Sequence, residues 1–514
     1  MKLSEILEDV EVIELVDCDG DAEVSFVTSD SRSVIPGAVF VAILGERLDG
    51  HEFVDEAVGR GARAVVIERP IYPSPKCGVV RVVSSHRALG TLASNYFNRP
   101  SRTLRIIGVV GTKGKTSTTL FLQSILNAAG DRAAVVGSLG IGRADSWEPG
   151  DLTTPDPYRL QYILADLRNE GHTHVAIEVS SHGIKQARVA GTAFAAGVFT
   201  QMSWDHMDFH KTWEDYEDTK VSFFTDYLKT KEQIAAVNMD DPVGRRIIMA
   251  TKAQALTFSL DDDAANLYAS DVVLHPTHTK FQIHTPIHGG SVKLHMPARF
   301  NVANALAAAA AAVGLGVPLD PVIKGLEALK AVPGRMERVD EGQPFTVIVD
   351  YSHTPDALEK VLEALGEFGR GRLITVMGCG GDRDKAKRPL MGKAAAQKSD
   401  VVVVTSDNPR NEDPLAIIAE IVQGLKSLGV KTPDVPTDLE SITHSVGKPS
   451  VVITASRRHA IETAIGMAKA KDTVLIAGKG HEDYQIIGTK KIHFDDREVA
   501  REVLAKLTGG RKGG

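Results

Sequence analysis

With 514 residues, 43% hydrophobic and 24% charged side chains and a formal net charge of −7, the chain has room for about three globular domains, each with its own core. It carries no basic excess to hold nucleic acid, so small molecules are the expected partners, with no nucleic acid and no membrane among them. Its three cysteines, Cys18, Cys77 and Cys379, lie far apart and without paired metal spacing, which argues against a disulfide framework and suits a reducing compartment.

In chain order, Met1 to Val10 carries Glu5, Glu8 and Asp9 and no apolar signal core, so a cytoplasmic location is expected. Apolar runs of strand length at 39–44, 64–67 and 79–83 alternate with amphipathic segments at 54–59 and 87–95. They predict a small mixed α/β domain over residues 1–100, ending at a Pro100-Ser101 joint. A second series follows over 101–333, with strands at 106–110, 133–136, 174–179, 196–199 and 234–237 and helices between several of them. That alternation favours a largely parallel sheet. The Ala-rich tract 305–317 is shorter than the roughly 20 residues of a membrane span and reads as a buried helix. After Val332-Pro333-Gly334 a third α/β series, residues 334–514, places strands at 345–349, 373–377, 401–404, 451–453 and 474–476, with helices at 356–368 and 416–428. The Gly-rich end, 509–514, is expected to fray.

Between the strand at 106–110 and a helical pattern at 118–129 stands Gly111-Thr112-Lys113-Gly114-Lys115-Thr116-Ser117. Its glycines let backbone N–H groups close on phosphates, and the helix points its N-terminus at them. Lys115 can reach the outer phosphates and Thr116 can hold Mg²⁺. The spacing departs from the strict Walker pattern, because Val109 stands where the first glycine belongs. A Gly-rich turn alone needs no Gly-Lys-Thr in register with a helix start, so a nucleoside triphosphate is the expected ligand.

Glu178 ends an apolar strand, where a P-loop protein needs a second metal-directed oxygen; the alternative is a solvated glutamate. Ser203-Trp204-Asp205-His206-Met207-Asp208-Phe209-His210 gathers two carboxylates and two imidazoles. His206 and His210 are four apart, which on a helix could suit zinc, but no glutamate adjoins them and the phosphate loop favours Mg²⁺. Open parallel sheets bind ligands at the carboxyl ends of their strands. The segments Asp350-Tyr351-Ser352-His353, Gly378-Cys379-Gly380-Gly381-Asp382-Arg383-Asp384, Asp407-Asn408-Pro409-Arg410 and Gly478-Lys479-Gly480-His481-Glu482 are therefore expected on one edge. The Gly378 segment begins like a dinucleotide fingerprint, but Arg383 at the third glycine position favours anion recognition over NAD.

These motifs, with Glu178-Val179-Ser180-Ser181-His182-Gly183 and Asp350-Tyr351-Ser352-His353-Thr354-Pro355-Asp356, resemble the Mur ligases of peptidoglycan synthesis over nearly the whole chain. Within that family Asp407-Asn408-Pro409-Arg410 resembles the signature of the enzymes adding the third amino acid, in their meso-diaminopimelate form. The resemblance implies three domains: one for a nucleotide sugar, a central P-loop ATPase and a Rossmann-like C-terminal domain. It also implies ATP-driven activation of a carboxylate to an acyl phosphate, which an amine attacks to give an amide. A monomer is expected. A slow nucleotide-dependent switch, a folate polyglutamating ligase and a lysine-adding ligase are the competing readings.

What the family implies for single residues follows the same motifs. Lys220, after Asp205 to His210 and Tyr216, matches a lysine carbamoylated by CO₂ that helps hold Mg²⁺; by residue type alone, beside Glu214, Asp215, Glu217 and Asp218, it would be a surface lysine. Lys115, Glu178, His206 and Lys220 are thus the catalytic candidates, and Thr116, Glu178, His206 and Lys220 the metal ligands. Asn301, Asn304, Arg335 and Asp350 join Gly111 to Ser117 in binding ATP, although Ala298-Arg299 stands where a glycine is usual before the Asn motif. Ser31, Arg32, Glu46, Arg47 and Leu48 match the uridine-end segment of UDP-MurNAc-L-Ala-D-Glu, and Thr153, Thr154, Ser180, Gln186 and Arg188 the muramoyl-dipeptide part. Arg383, Asp407, Asn408, Pro409, Arg410, Gly478 and Glu482 match the amino-acid site. An arginine fork at 410 can hold the distal carboxylate of diaminopimelate and repels the bare ammonium of lysine; the alternative is a surface ion pair.

Overall fold

The computed structural model describes residues 1–45, 48–72, 75–144, 146–207, 209–368 and 371–509. The chain forms two compact units. The first comprises Met1–Met202, Phe209–Tyr268 and Asn304–Gly325; the second comprises Ser203–Asp208, Ala269–Ala303 and Leu326–Gly514.

In the first unit a five-stranded sheet runs in the order Val12–Val16, Gly78–Val82, Ala64–Ile67, Val39–Val41, Val27–Thr28. All neighbours are parallel except the edge strand Val12–Val16. Successive side chains point to opposite faces, so Val39, Val41 and Val66 enter one core and Phe40, Val65 and Ile67 the other. The apolar run expected to continue to residue 44 leaves the sheet at Val41, because the backbone N–H of Gly50 takes the Ile43 carbonyl at 2.8 Å and turns the chain back.

A second sheet in this unit carries six parallel strands in the order Gln254–Ser259, Ile234–Asn238, Phe194–Phe199, Arg105–Val110, His174–Val179, Ala133–Gly137. The two sheets belong to one unit for a packing reason. A Cβ at Gly90, on helix Ser85–Tyr96, would stand 2.5 Å from the Ala190 carbonyl oxygen, so only glycine allows that approach. Beside it, Phe97 packs edge-on or tilted against Tyr158 and Tyr162, and Arg168 donates to the carbonyls of Phe97 and Asn98. Sequence reading separates these regions at Pro100; the side chains fasten them together.

Strand Leu267–His275 starts in the first unit and ends in the second, where the antiparallel pair His278–His284 and Gly289–Leu294 follows it. These strands alternate buried and polar positions and contain no apolar run of strand length. The second unit's main sheet runs Glu337–Val339, Thr346–Asp350, Thr473–Ala477, Leu373–Met377, Val401–Val404, Ser450–Thr454, Ile442–Ser445. Its inner five strands are parallel and both edges antiparallel. Asp350, Ala477, Met377 and Val404 therefore all end on one edge, which is where the four polar loops begin. In the helix Arg299–Gly314, residues 305–312 are 0% exposed, and among the described residues no helix is long and apolar enough to cross a membrane.

Candidate active site

The phosphate loop lies between strand Arg105–Val110 and helix Lys115–Ala128. Gly114 caps that helix at φ +88°, and a Cβ there would meet Asn304 Oδ1 at 2.2 Å; one at Gly111 would meet Thr200 Oγ1 at 1.9 Å. Both glycines are therefore demanded by close approach as well as by backbone. Thr200 Oγ1 donates to the Lys113 carbonyl at 2.7 Å and the Thr112 N–H to the Gln201 carbonyl at 2.8 Å, fixing the loop's outer half. Lys115 Nζ donates to the Gly111 and Thr112 carbonyls at 2.9 and 3.0 Å, and Thr116 and Ser117 are buried in the first turn.

Glu178 sits on strand His174–Val179, immediately beside the phosphate-loop strand with Glu178 opposite Val109. It is 1% exposed, so the solvated alternative fails. Its carboxylate accepts from the Ser138 N–H at 2.8 Å and the Ser138 hydroxyl at 3.2 Å, and among the described residues it has no cationic partner. A buried carboxylate of this kind fits a hard divalent cation. Gly137 makes room for it: a Cβ there would lie 2.3 Å from Glu178 Oε1.

Lys220 lies on helix Trp213–Asp226 and is 1% exposed, which removes the surface-lysine alternative. Its Nζ stands 4.4 Å from the centre of the Tyr216 ring, and the Tyr216 hydroxyl is 3.0 Å from Thr112 Oγ1. His210 packs on the same ring; its Nδ1 pairs with Asp215 at 3.1 Å, while its buried Nε2 has no partner among the described residues. Burial pulls the His210 pKa below the usual value, against the raising effect of Asp215. Asp215 is in turn held below the ordinary carboxylate range, first by its hydrogen bond from Lys185. His206 belongs to the second unit and adopts a left-handed φ of +57° in a loop, with its backbone N–H on Asp205 Oδ1. Among the described residues no helix covers both His206 and His210, so the helical spacing that could suit zinc is absent there; Asp208 lies outside them. Among the described residues no three His, Cys, Asp or Glu side chains form a metal cluster.

Thr153, Thr154, Ser180, Gln186 and Arg188 converge on the same strand end. Ser138 Oγ is 3.0 Å from Thr153 Oγ1; Thr154 Oγ1 donates to the Glu178 carbonyl at 2.8 Å and accepts from the Ser180 N–H at 2.9 Å. Arg188 donates to the Thr154 carbonyl and to Gln186 Oε1, and burial lowers its pKa. Ser31 and Arg32 are held within their own sheet domain: the Ser31 hydroxyl donates to Glu56 at 2.7 Å and Arg32 pairs with Asp30 at 2.8 Å. Leu48 is exposed, and Glu46 and Arg47 lie outside the described residues.

In the second unit the four loops meet as expected. Tyr351 stacks at 5.0 Å on His481, Arg335 lies 4.6 Å over the Tyr351 ring, and Asp350 accepts the Met336 N–H at 2.8 Å. Burial raises the Asp350 pKa against the opposing pull of Arg335. Asn301 is buried with its amide on the Pro297 carbonyl, and Ala298 holds φ +81°, a left-handed conformation that favours glycine. Gly381 N–H donates to the Asn408 carbonyl at 2.9 Å, and a Cβ at Gly478 would stand 2.7 Å from Asp407 Oδ2. Arg410, at φ +50°, donates from Nη1 to the Gly381 carbonyl at 2.8 Å; among the described residues it forms no ion pair with a carboxylate. Asn408 Nδ2 donates to Glu482 at 2.9 Å, Pro409 accepts the Glu412 N–H, and Arg383 is exposed on the rim of Gly380.

This architecture has relatives. Residues 23–97 match the description "Mur ligase family, catalytic domain", residues 109–312 "Mur ligase middle domain" and residues 334–480 "Mur ligase, glutamate ligase domain". The chain is 38% identical over 99% of its length to the whole of a UDP-N-acetylmuramoyl-L-alanyl-D-glutamate–2,6-diaminopimelate ligase of Clostridium acetobutylicum. It is 39% identical over 98% of its length to 99% of the Syntrophomonas wolfei protein of that name. The chain belongs to the Mur ligase family. A solved structure with the same ligase name matches with a TM-score of 0.71 and 30% identity, covering 99% of both chains.

Sequence reasoning about this Mur ligase missed Ser138, which holds Glu178, Tyr216, which links Lys220 to the phosphate loop, and Thr200, which fixes the loop's carbonyl. Lys479 was visible in its motif but without a role. It is 0% exposed and lies between Asp407, Asn408 and Glu482.

Proposed function

We propose that this Mur ligase joins meso-diaminopimelate to the D-glutamate of UDP-MurNAc-L-Ala-D-Glu, converting ATP to ADP and phosphate, as a cytoplasmic step of peptidoglycan precursor synthesis. The observation that carries this reading is Arg410: a guanidinium pinned by its backbone and by one N–H on Gly381, with no carboxylate paired to it among the described residues. The remaining N–H groups of such a fork suit a ligand carboxylate, which diaminopimelate has at its distal end and lysine lacks. The printed names of the full-length relatives support the same acceptor and amino acid. The lysine-adding reaction is the alternative.

On this reading residues 1–100 take the uridine end through Ser31, Arg32 and residues 46–48, residues 101–333 bind ATP, and residues 334–514 bind the amino acid through Arg383, Asp407 to Arg410, Gly478 and Glu482. The γ-phosphoryl group of ATP passes to the D-glutamyl carboxylate, leaving ADP and an acyl phosphate. The amine attacks that carbonyl, and the tetrahedral intermediate expels phosphate as the amide forms. Gly111 to Ser117 supply backbone N–H groups and the helix N-terminus to the phosphates, and Lys115 exchanges its two loop carbonyls for phosphate oxygens. Asn301, Asn304, Arg335 and Asp350 are the further nucleotide contacts by family likeness. Thr153, Thr154, Ser180, Gln186 and Arg188 orient the dipeptide carboxylate.

Mg²⁺, when bound, offsets the negative charge that collects on the transferred phosphoryl group. By family likeness its ligands are Thr116, Glu178, His206 and a CO₂-derived carbamate on Lys220. Burial supports the modification: Lys220 is 1% exposed, and a carbamate would turn that buried cation into an anion able to help hold Mg²⁺. Acyl phosphate formation is tested by labelling the D-glutamyl carboxylate with ¹⁸O: transfer of one label into released phosphate is expected, and unlabelled phosphate refutes the step.

A further inference from the structure

Four charged side chains define the distal end of the proposed amino-acid site: Asp407, Arg410, Lys479 and Glu482. Lys479 is the unusual member, since its side chain is 0% exposed. Its Nζ lies 3.2 Å from Glu482 Oε2, 3.2 Å from Asn408 Oδ1 and 3.7 Å from Asp407 Oδ1. The cage is rigid: Asn408 Nδ2 holds the same Glu482 oxygen, the Ile486 N–H holds Asn408 Oδ1 at 3.0 Å, and Gln485 Nε2 holds the Asp407 carbonyl at 2.5 Å. Two further buried cations of this unit are already neutralised, Arg457 by Asp496 at 2.6 Å and Arg388 by Glu412 at 2.8 Å.

We propose that Lys479 is a specificity-determining residue that acts by charge balance, cancelling one of the two carboxylates so that a single negative charge remains to face a ligand ammonium while Arg410 faces a ligand carboxylate. The proposal rests on the diaminopimelate reading above. The balanced site complements a zwitterionic distal end. A bare ammonium leaves Arg410 unmet, and a bare carboxylate leaves the residual negative charge unmet. Without Lys479 the site carries two negative charges against one positive, which favours lysine.

The test compares kcat/KM for meso-diaminopimelate, L-lysine and 2-aminopimelate, which keeps the distal carboxylate and lacks the distal ammonium, in the unaltered enzyme and in Lys479→Met and Lys479→Arg. In the unaltered enzyme diaminopimelate is expected to exceed both others by at least about tenfold. Lys479→Met is expected to lower the diaminopimelate-to-lysine ratio at least about tenfold, and Lys479→Arg to restore it. Equal loss with all three substrates in Lys479→Met means a purely structural role and overturns the proposal. If that variant does not fold, equal use of 2-aminopimelate and diaminopimelate by the unaltered enzyme overturns it instead. Preference of the unaltered enzyme for lysine overturns the diaminopimelate reading itself.

Discussion

Tyr216 places its hydroxyl 3.0 Å from Thr112 Oγ1, so the helix that carries Lys220 is tied to the turn proposed to hold the nucleotide. The same ring supports Lys220 on one side and His210 on another. Tyr216→Phe keeps both packing contacts and removes the hydrogen bond, a change of about 1 kcal/mol. The expected result is a several-fold rise in KM for ATP with little change in Tm. An unchanged KM would show that the link does not position the loop.

Lys220→Ala is expected to lower kcat by at least about a hundredfold, because it removes the anion proposed to help hold Mg²⁺. Short-chain carboxylic acids added to the assay restore part of the rate by standing in for the carbamate. Full activity in the unrescued variant removes Lys220 from the mechanism.

Gly114→Ala tests the phosphate cradle. Its Cβ would meet Asn304 Oδ1 at 2.2 Å in a left-handed backbone, so both strain and overlap act against it. A stability loss of about 1–3 kcal/mol and loss of nucleotide binding are expected, read by urea denaturation and by equilibrium titration with ADP. Gly130→Ala is the control for backbone alone, since it too is left-handed but nothing lies within 4 Å of its Cβ.

His353 gives a pH dependence of known sign. Burial, aided by Lys387, lowers its pKa from 6.5 to about 4. Between those values the unfolded chain takes up a proton that the folded chain refuses, so stability falls as pH drops from 6.5 towards 4, by up to ~1.4 kcal/mol per pH unit from this group. Urea unfolding of His353→Asn is expected to show a smaller difference between pH 7 and pH 5 than the unaltered protein. An identical difference contradicts the assignment.

What the sequence made legible was local. Gly111 to Ser117 could be read because a phosphate loop is contiguous, and the strands at 174–179, 373–377 and 401–404 have the observed boundaries because each is a buried, largely apolar run. The convergence of four loops followed from parallel strands sharing a carboxyl edge. Ser138 was not legible as the partner of Glu178, since 40 residues separate them and a serine after a strand has many uses. The burial of Lys479 was hidden for the same reason: although Glu482 is close in sequence, its partner Asn408 comes from a loop 71 residues earlier. Nor did Pro100 reveal that the regions flanking it fasten to each other through Gly90 and Phe97.

The central claim is the reaction and its amino acid. It is tested most directly by phosphate release from ATP and Mg²⁺ in the presence of UDP-MurNAc-L-Ala-D-Glu, comparing meso-diaminopimelate, L-lysine and no amino acid, with the product weighed by mass spectrometry. Release that depends on diaminopimelate and yields the tripeptide is the predicted result; release indifferent to the amino acid, or faster with lysine, would contradict it.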